Sequence, residues 1–287
     1  MFFTPVLLTI SPFLCAVFLY LESLEVSYTL TRLSLSAFVT TQKLERLYKE
    51  KQGVLDVDLA RLKTQYDVGG LDDETLKRML TFVYAYIEVF EENDADVLLS
   101  ECWTSMPQAF NANPCLAMSI LYDMGYIVTC ESDLHGAISQ AILLSASRGG
   151  AKPLFGEFTA RNPINKNSEL LWHCGPFPLS AKKDGAQAKL FNTKPSFPAK
   201  DGTYTITRFQ GEKGTYKLLG GKFNTCEGPY TFGTYMWAEF NDLSKLEKKL
   251  INGPYIHHMS EIYGDYAEVL EEFTKYIPNL EFDDINS

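Results

Sequence analysis

A chain of 287 residues is long enough to bury a full hydrophobic core in one large or two ordinary domains. Its hydrophobic share of 46% belongs to a folded protein and excludes a disordered one. A formal net charge of −10 withholds the electrostatic support that a nucleic-acid partner needs, so none is expected.

The first stretch, Phe2 to Tyr20, has no charged residue and the apolarity of a signal or membrane segment. Against that, no Lys or Arg precedes Arg32, and Pro5 and Pro12 interrupt any single helix. Membrane association is therefore not expected, and 1–30 stands apart as an atypical apolar segment. The six cysteines, Cys15, Cys102, Cys115, Cys130, Cys174 and Cys226, contain no C-x-x-C pair and suggest neither a zinc knuckle nor a disulfide framework. Reduced Cys in apolar segments behaves as a small hydrophobe, and a cytoplasmic location is the expectation.

Residues 72–93 predict a helix, with acids in its first turn and an apolar stripe through Leu76, Met79, Leu80, Val83 and Ile87. Residues 96–100 predict a buried strand, 114–124 a helix closed by Gly125, and 126–129 a strand that stops at Cys130-Glu131-Ser132-Asp133. A helix follows from Leu134, then a strand at 153–158. Such alternation predicts a largely parallel sheet covered on both faces. After about residue 175 the pattern changes. Segments 203–207, 214–219 and 233–238 read as strands between Gly-rich turns, with a closing helix at 266–276. The expected class is α/β: a parallel-sheet α/β domain over 1–175, then a C-terminal antiparallel β-rich, barrel-like domain over 176–287. The boundary is soft, within 175–200, where Pro176, Pro178, Pro195 and Pro198 mark an irregular connection.

Only four histidines exist, His135, His173, His257 and His258. Four apolar runs each deliver an acid or an imidazole: Glu131, Glu157, His173 and one of His257/His258. Carboxylate and imidazole together suit Mn²⁺, Co²⁺ or Fe²⁺. Two carboxylates beside one ion also acquire separated pKa values and can divide acid and base roles. The ion would then be the countercharge for carboxylates that have no basic neighbour in sequence. Simpler roles stand beside this one. A Glu after a strand can be solvated, Asp133 suits a helix N-cap, and His135 suits a core histidine.

The stretches "GYIVTCESD", "PLFGEFT", "ELLWHCG" and "GPYIHHMSEIYGDY", in this order, resemble the L-fucose/L-arabinose isomerase superfamily. The intervals fit too, 26 positions from Glu131 to Glu157 and 16 from Glu157 to His173. The likeness covers roughly residues 70 to 280 and is nearest to the fucose-isomerase-like branch, where "CW", "CE-x-D" and "HCG" recur. It implies a metal-dependent aldose–ketose isomerase working through an ene-diolate on a sugar such as L-fucose or L-arabinose. Glu131 and Glu157 match the two active-site acids, which are also metal ligands. His258 matches the metal-binding His, and His173 a further His that ligates metal in the arabinose branch. Glu157 stands where the fucose branch has Asp, a change of one methylene. The implied cofactor is a divalent metal, Mn²⁺ first, and the implied partners are a monosaccharide and further copies of the chain in a homo-oligomer.

Family members are longer at the N-terminus, and the likeness begins inside their middle domain. The chain is therefore expected to be N-terminally truncated. That keeps a second reading open, an inactive remnant or a sugar- or metal-binding protein. A metal hydrolase is a third, weaker one, since no nucleophile elbow is present.

Overall fold

The computed structural model describes residues 7–8, 39–103 and 105–287. Most of the atypical apolar segment 1–30, including Cys15, lies outside the described residues. Among those that are described, no helix is long and apolar enough to cross a membrane.

The N-terminal part is a helical layer on a small sheet. Two short helices, α1 (Thr41–Glu50) and α2 (Gln52–Gln65), pack Leu44, Leu47, Leu55, Leu59 and Leu62 into the same core as α3 (Asp73–Asn93). Helix α3 begins where the Asp72 carboxylate accepts from the Thr75 N–H at 2.7 Å, and ends at Asp94 in the left-handed region. Two parallel strands follow, β3 (Val97–Ser100) and β4 (Ile127–Cys130), with β1 (Leu7–Leu8) antiparallel on the outer edge of β3. Between them run α4 (Ser105–Phe110) and α5 (Cys115–Met124), the latter closed by Gly125 at φ 94°. Helix α6 (Leu134–Ala146) leaves β4 after a three-residue link, Glu131-Ser132-Asp133.

The rest of the chain, joined by β2 (Tyr66–Asp67) from the N-terminal part, builds a ten-stranded sheet. Six of its strands are β5 (Pro153–Arg161), β6 (Ser168–His173), β9 (Thr203–Glu212), β10 (Thr215–Thr225), β11 (Thr234–Glu239) and β12 (His258–Tyr263). Around the ring the order is β10-β9-β12-β5-β6-β11, every pairing is antiparallel, and β11 pairs back to β10 at Asn224–Glu239. The sheet is thus a closed six-stranded barrel, which removes its free edges. Outside the ring, β13 (Leu280–Asp284) runs parallel to β10. On the other side, β8 (Lys194–Pro198) pairs with β11 and β7 (Ala188–Phe191), which in turn meets β2 (Tyr66–Asp67). Helix α7 (Leu243–Asn252) precedes β12, and α8 (Ala267–Thr274) follows it.

The expected antiparallel barrel-like part is present. Among the described residues the extended parallel sheet is not what the structure shows: parallel pairing in the small sheet is confined to β3 and β4. Strand 153–161, expected to continue that sheet, lies in the barrel between β12 and β6. A short apolar run such as Pro153-Leu154-Phe155 fits either sheet type, and only long-range pairing decides between them.

Helix α6 bridges the two parts. The Ser139 hydroxyl accepts from the Phe209 N–H of β9 at 2.8 Å, and the Ser260 hydroxyl of β12 donates to the Gly136 carbonyl. Gly136 allows that approach, because a Cβ there would stand 2.5 Å from the Phe155 ring of β5.

Candidate active site

The candidate residues meet where the end of β4 faces the barrel. Glu131 and Ser132 follow β4 directly, and both are non-glycine residues with positive φ, 58° and 54°. Two consecutive left-handed residues turn the chain sharply from strand to helix and are held by the Ser132 N–H, which donates to the Ser100 carbonyl at 3.2 Å. Asp133 then caps α6, its carboxylate accepting from the Gly136 N–H at 3.0 Å.

Glu157 and His258 are register partners on β5 and β12, so their side chains leave the same face of the barrel wall. His258 is 5% exposed. Its Nε2 lies 3.5 Å from a Glu131 oxygen and 3.9 Å from a Glu157 oxygen, and its Nδ1 lies 3.1 Å from Asp133 Oδ2. His173, the last residue of β6, is buried on the neighbouring strand, with its ring centroid 5.9 Å from that of His258. One ligand atom of His173 and one of Glu131 lie within 4.8 Å of each other. His173 Nδ1 accepts from the Cys174 N–H at 2.9 Å, so the neutral ring carries its proton on Nε2. Phe155 packs against both imidazoles, at 5.2 Å from His173 and 5.1 Å from His258.

Of the histidine pair, only His258 reaches both glutamates. His257 is largely exposed, and its Nε2 touches Glu157 at 3.0 Å from outside. The tandem is not the end of an apolar run, as the sequence suggests; His258 opens β12. Likewise Glu157 is not terminal, since β5 continues to Arg161. His135 lies apart from the cluster, edge-on to Phe209 at 5.4 Å.

Charges organise the cluster. Burial alone would disfavour a protonated His258, but the Asp133 hydrogen bond and the Glu131 carboxylate 3.5 Å from its Nε2 outweigh it and push its pKa up to about 9. The neighbouring His258 imidazole in turn holds Glu131 below its ordinary value, so Glu131 is ionised at neutral pH. Asp133 does more than cap. Arg208 of β9, 1% exposed, grips it with both guanidinium nitrogens, NH2 to Oδ1 at 3.0 Å. Although burial opposes it, these partners hold Asp133 well below the usual carboxylate range. The countercharge of Asp133 is therefore a residue 75 positions away, where the sequence offered only an ion. Arg208 was missed in the sequence, yet a signal existed: a charge inside the strand Tyr204-Thr205-Ile206-Thr207-Arg208-Phe209 has to find a buried partner if the strand is covered on both faces.

Two buried nitrogens, His173 Nε2 and His258 Nε2, have no hydrogen-bond partner. Both belong to the cluster that also holds Glu131 and Glu157. Two carboxylates and His258 Nε2 are ligands that suit a first-row divalent cation, and His173 Nε2 joins them once its proton moves off and the Cys174 N–H bond to Nδ1 is released, so the residues present fit such an ion.

No protein-family model matches the chain. It is similar to the sulfoquinovose isomerase of Priestia aryabhattai, 31% identical over 220 residues, which cover 73% of this chain and 48% of that relative. The sulfoquinovose isomerase of Alkalicoccus urumqiensis is 28% identical over 210 residues, with 70% and 47% covered. That of Clostridium sp. (strain MSTE9) is 27% identical over 221 residues, with 70% and 47% covered. The chain spans about half the length of the curated relatives it matches.

Proposed function

We propose that this chain carries the metal-binding and proton-transfer centre of an aldose–ketose isomerase acting on a monosaccharide. The observation that carries the reading is the convergence of Glu131, Glu157, His258 and His173, with two buried imidazole nitrogens left without partners. The similarity to enzymes named sulfoquinovose isomerase supports it and makes a 6-sulfonated aldohexose the first substrate to test, ahead of L-fucose and L-arabinose. The exposed aromatics Trp103, Phe191, Tyr230 and Phe232 support a homo-oligomer as the working assembly.

Glu131, Glu157, His258 and His173 would hold a divalent cation, Mn²⁺ first. When bound, that cation supplies positive charge against the negative charge developing on the two sugar oxygens at C1 and C2. The remaining chemistry belongs to the side chains. In the open-chain aldose one glutamate takes the proton from C2, the electron pair forms the C1–C2 double bond, and O1 gains a proton. The proton returns at C1 while O2 loses its own and becomes the carbonyl. Glu131, held ionised, and Glu157 divide these transfers. Asp133 fixes the His258 ring through Nδ1, so that Nε2 is the atom presented to the glutamates. The Phe155 ring against both imidazoles keeps water from that side of the centre.

Proton NMR in D₂O with Mn²⁺ tests this. The account expects ketose to form from sulfoquinovose with loss of the C2–H signal, and Glu131→Gln and Glu157→Gln each to lower the rate by about 10²–10⁴. Binding of Mn²⁺ with no turnover of any of the three sugars would leave a metal-binding protein and overturn the isomerase reading.

A further inference from the structure

A second cluster lies against the first. Cys102 sits just past β3, Cys130 ends β4, Cys115 opens α5, and Cys174 follows β6, so four separate segments bring four thiols to one place. The Sγ atoms of Cys102 and Cys130 are 2.8 Å apart, and those of Cys115 and Cys174 are 3.6 Å apart. Those of Cys102, Cys130 and Cys174 all lie within 4.8 Å of one another. Cys102, Cys115 and Cys130 are buried, and Cys174 is half-buried.

A buried free thiol usually packs as a small hydrophobe against carbon. Here the sulfurs meet each other instead, and a thiol is a weak donor and a weak acceptor. Hydrogen bonds between them return little for gathering four on separate segments. A cation at about 2.3 Å from each sulfur keeps any two of them within about 4.6 Å, which is the scale observed. Thiolates select Zn²⁺ and Cu⁺, whereas carboxylates and imidazoles accept Mn²⁺, so the two clusters sort ions by softness.

We propose that Cys102, Cys130 and Cys174, with Cys115 beside them as a fourth donor, bind a thiophilic d¹⁰ cation, Zn²⁺ or Cu⁺. Each ligating thiol gives up its proton to solvent, and the close Cys102–Cys130 pair spreads to admit the ion. Because Cys130 precedes Glu131 and Cys174 follows His173, the ion braces the backbone on both sides of the Glu/His centre. The site does not depend on the isomerase reading.

The test is Cd²⁺ titration of the reduced chain, following the ultraviolet thiolate-to-Cd²⁺ charge-transfer band, with elemental analysis of protein grown on zinc or on copper. The expected result is one sulfur-bound equivalent in the wild type, in Cys226→Ser and in the double variant Glu131→Gln/His258→Ala. The band should disappear in Cys102→Ser and in Cys174→Ser that remain folded by circular dichroism. Whether zinc or copper copurifies identifies the native ion. A folded, reduced wild type without the band overturns the proposal, as does a band that survives both Cys variants. So does a metal-free native protein whose mass is lower by two hydrogens, since the pair would then be a disulfide.

Discussion

Asp133 caps α6, pairs with Arg208 and holds the His258 ring, three tasks for one carboxylate. Its position before α6 announces a cap, and the cap is there. Nothing local announces Arg208 or His258, because both arrive from barrel strands far along the chain. Loss of a cap costs about 1 kcal/mol, whereas a buried ion pair broken on one side costs about 3–5 kcal/mol. Asp133→Asn keeps a capping oxygen and removes the charge, so the two roles separate. We expect it to lower stability to chemical denaturation by about 3–5 kcal/mol, and Asp133→Asn/Arg208→Met to recover most of that. A loss of 1 kcal/mol or less would mean that the pair does not organise the site. The charge on His258 gives a second prediction at this scale. With a pKa of about 9 it is protonated at neutral pH and must lose that proton to ligate. Mn²⁺ affinity should therefore rise, by up to about tenfold per pH unit, as pH approaches 9 and then level off. Isothermal titration across that range measures it, and a flat profile contradicts the assignment of His258 as a ligand.

At the scale of elements, α6 and β12 carry the geometry. Gly136 lies in the first turn of α6, where Ala has the higher helix propensity by about 1 kcal/mol. A Cβ there would meet Phe155 at 2.5 Å and the Asp133 carboxylate at 2.8 Å, and overpacking costs about 1–3 kcal/mol. The clash is expected to win, so Gly136→Ala should lower the melting temperature and weaken metal binding together; a stabilised variant would show that α6 is free to shift. Strand β12 holds a second constraint. Glu261 is fully buried with neither carboxylate oxygen hydrogen-bonded, and burial raises its pKa well above the ordinary value. The folded protein then holds a proton that the unfolded chain releases above about pH 4.5, so this group's contribution to stability falls as pH rises towards its folded pKa. Glu261→Gln should be nearly neutral in melting temperature at pH 5 and stabilising at pH 8. Equal shifts at both would show that Glu261 does not titrate in the fold. Both elements show what sequence can convey. The cap and start of α6 are local and legible, and so are the ends of α3 and α5. The entry of β5 into the barrel and the burial of Glu261 are not, since they depend on pairings with strands about a hundred residues away.

For the molecule as a whole, the site lies where a two-strand parallel unit meets a closed antiparallel barrel, and neither part holds it alone. Glu131 comes from β4, Glu157, His173 and His258 from three adjacent barrel strands, and Arg208 from a fourth. The four ligand candidates were legible because each lies in or beside an apolar run and the four motifs follow in one order. Their mutual distances, the fork of Arg208 and the gathering of four cysteines spaced at 102, 115, 130 and 174 are products of closure, and no local pattern encodes closure. Closure of the barrel against β4 is what assembles the proposed divalent-cation centre. Mn²⁺ binding to the purified chain, followed by electron paramagnetic resonance, tests it most directly. One tightly bound Mn²⁺ is expected in the wild type, lost in both Glu131→Gln and His258→Ala. A folded wild type that leaves Mn²⁺ free in solution, or binding that both variants retain, would contradict it.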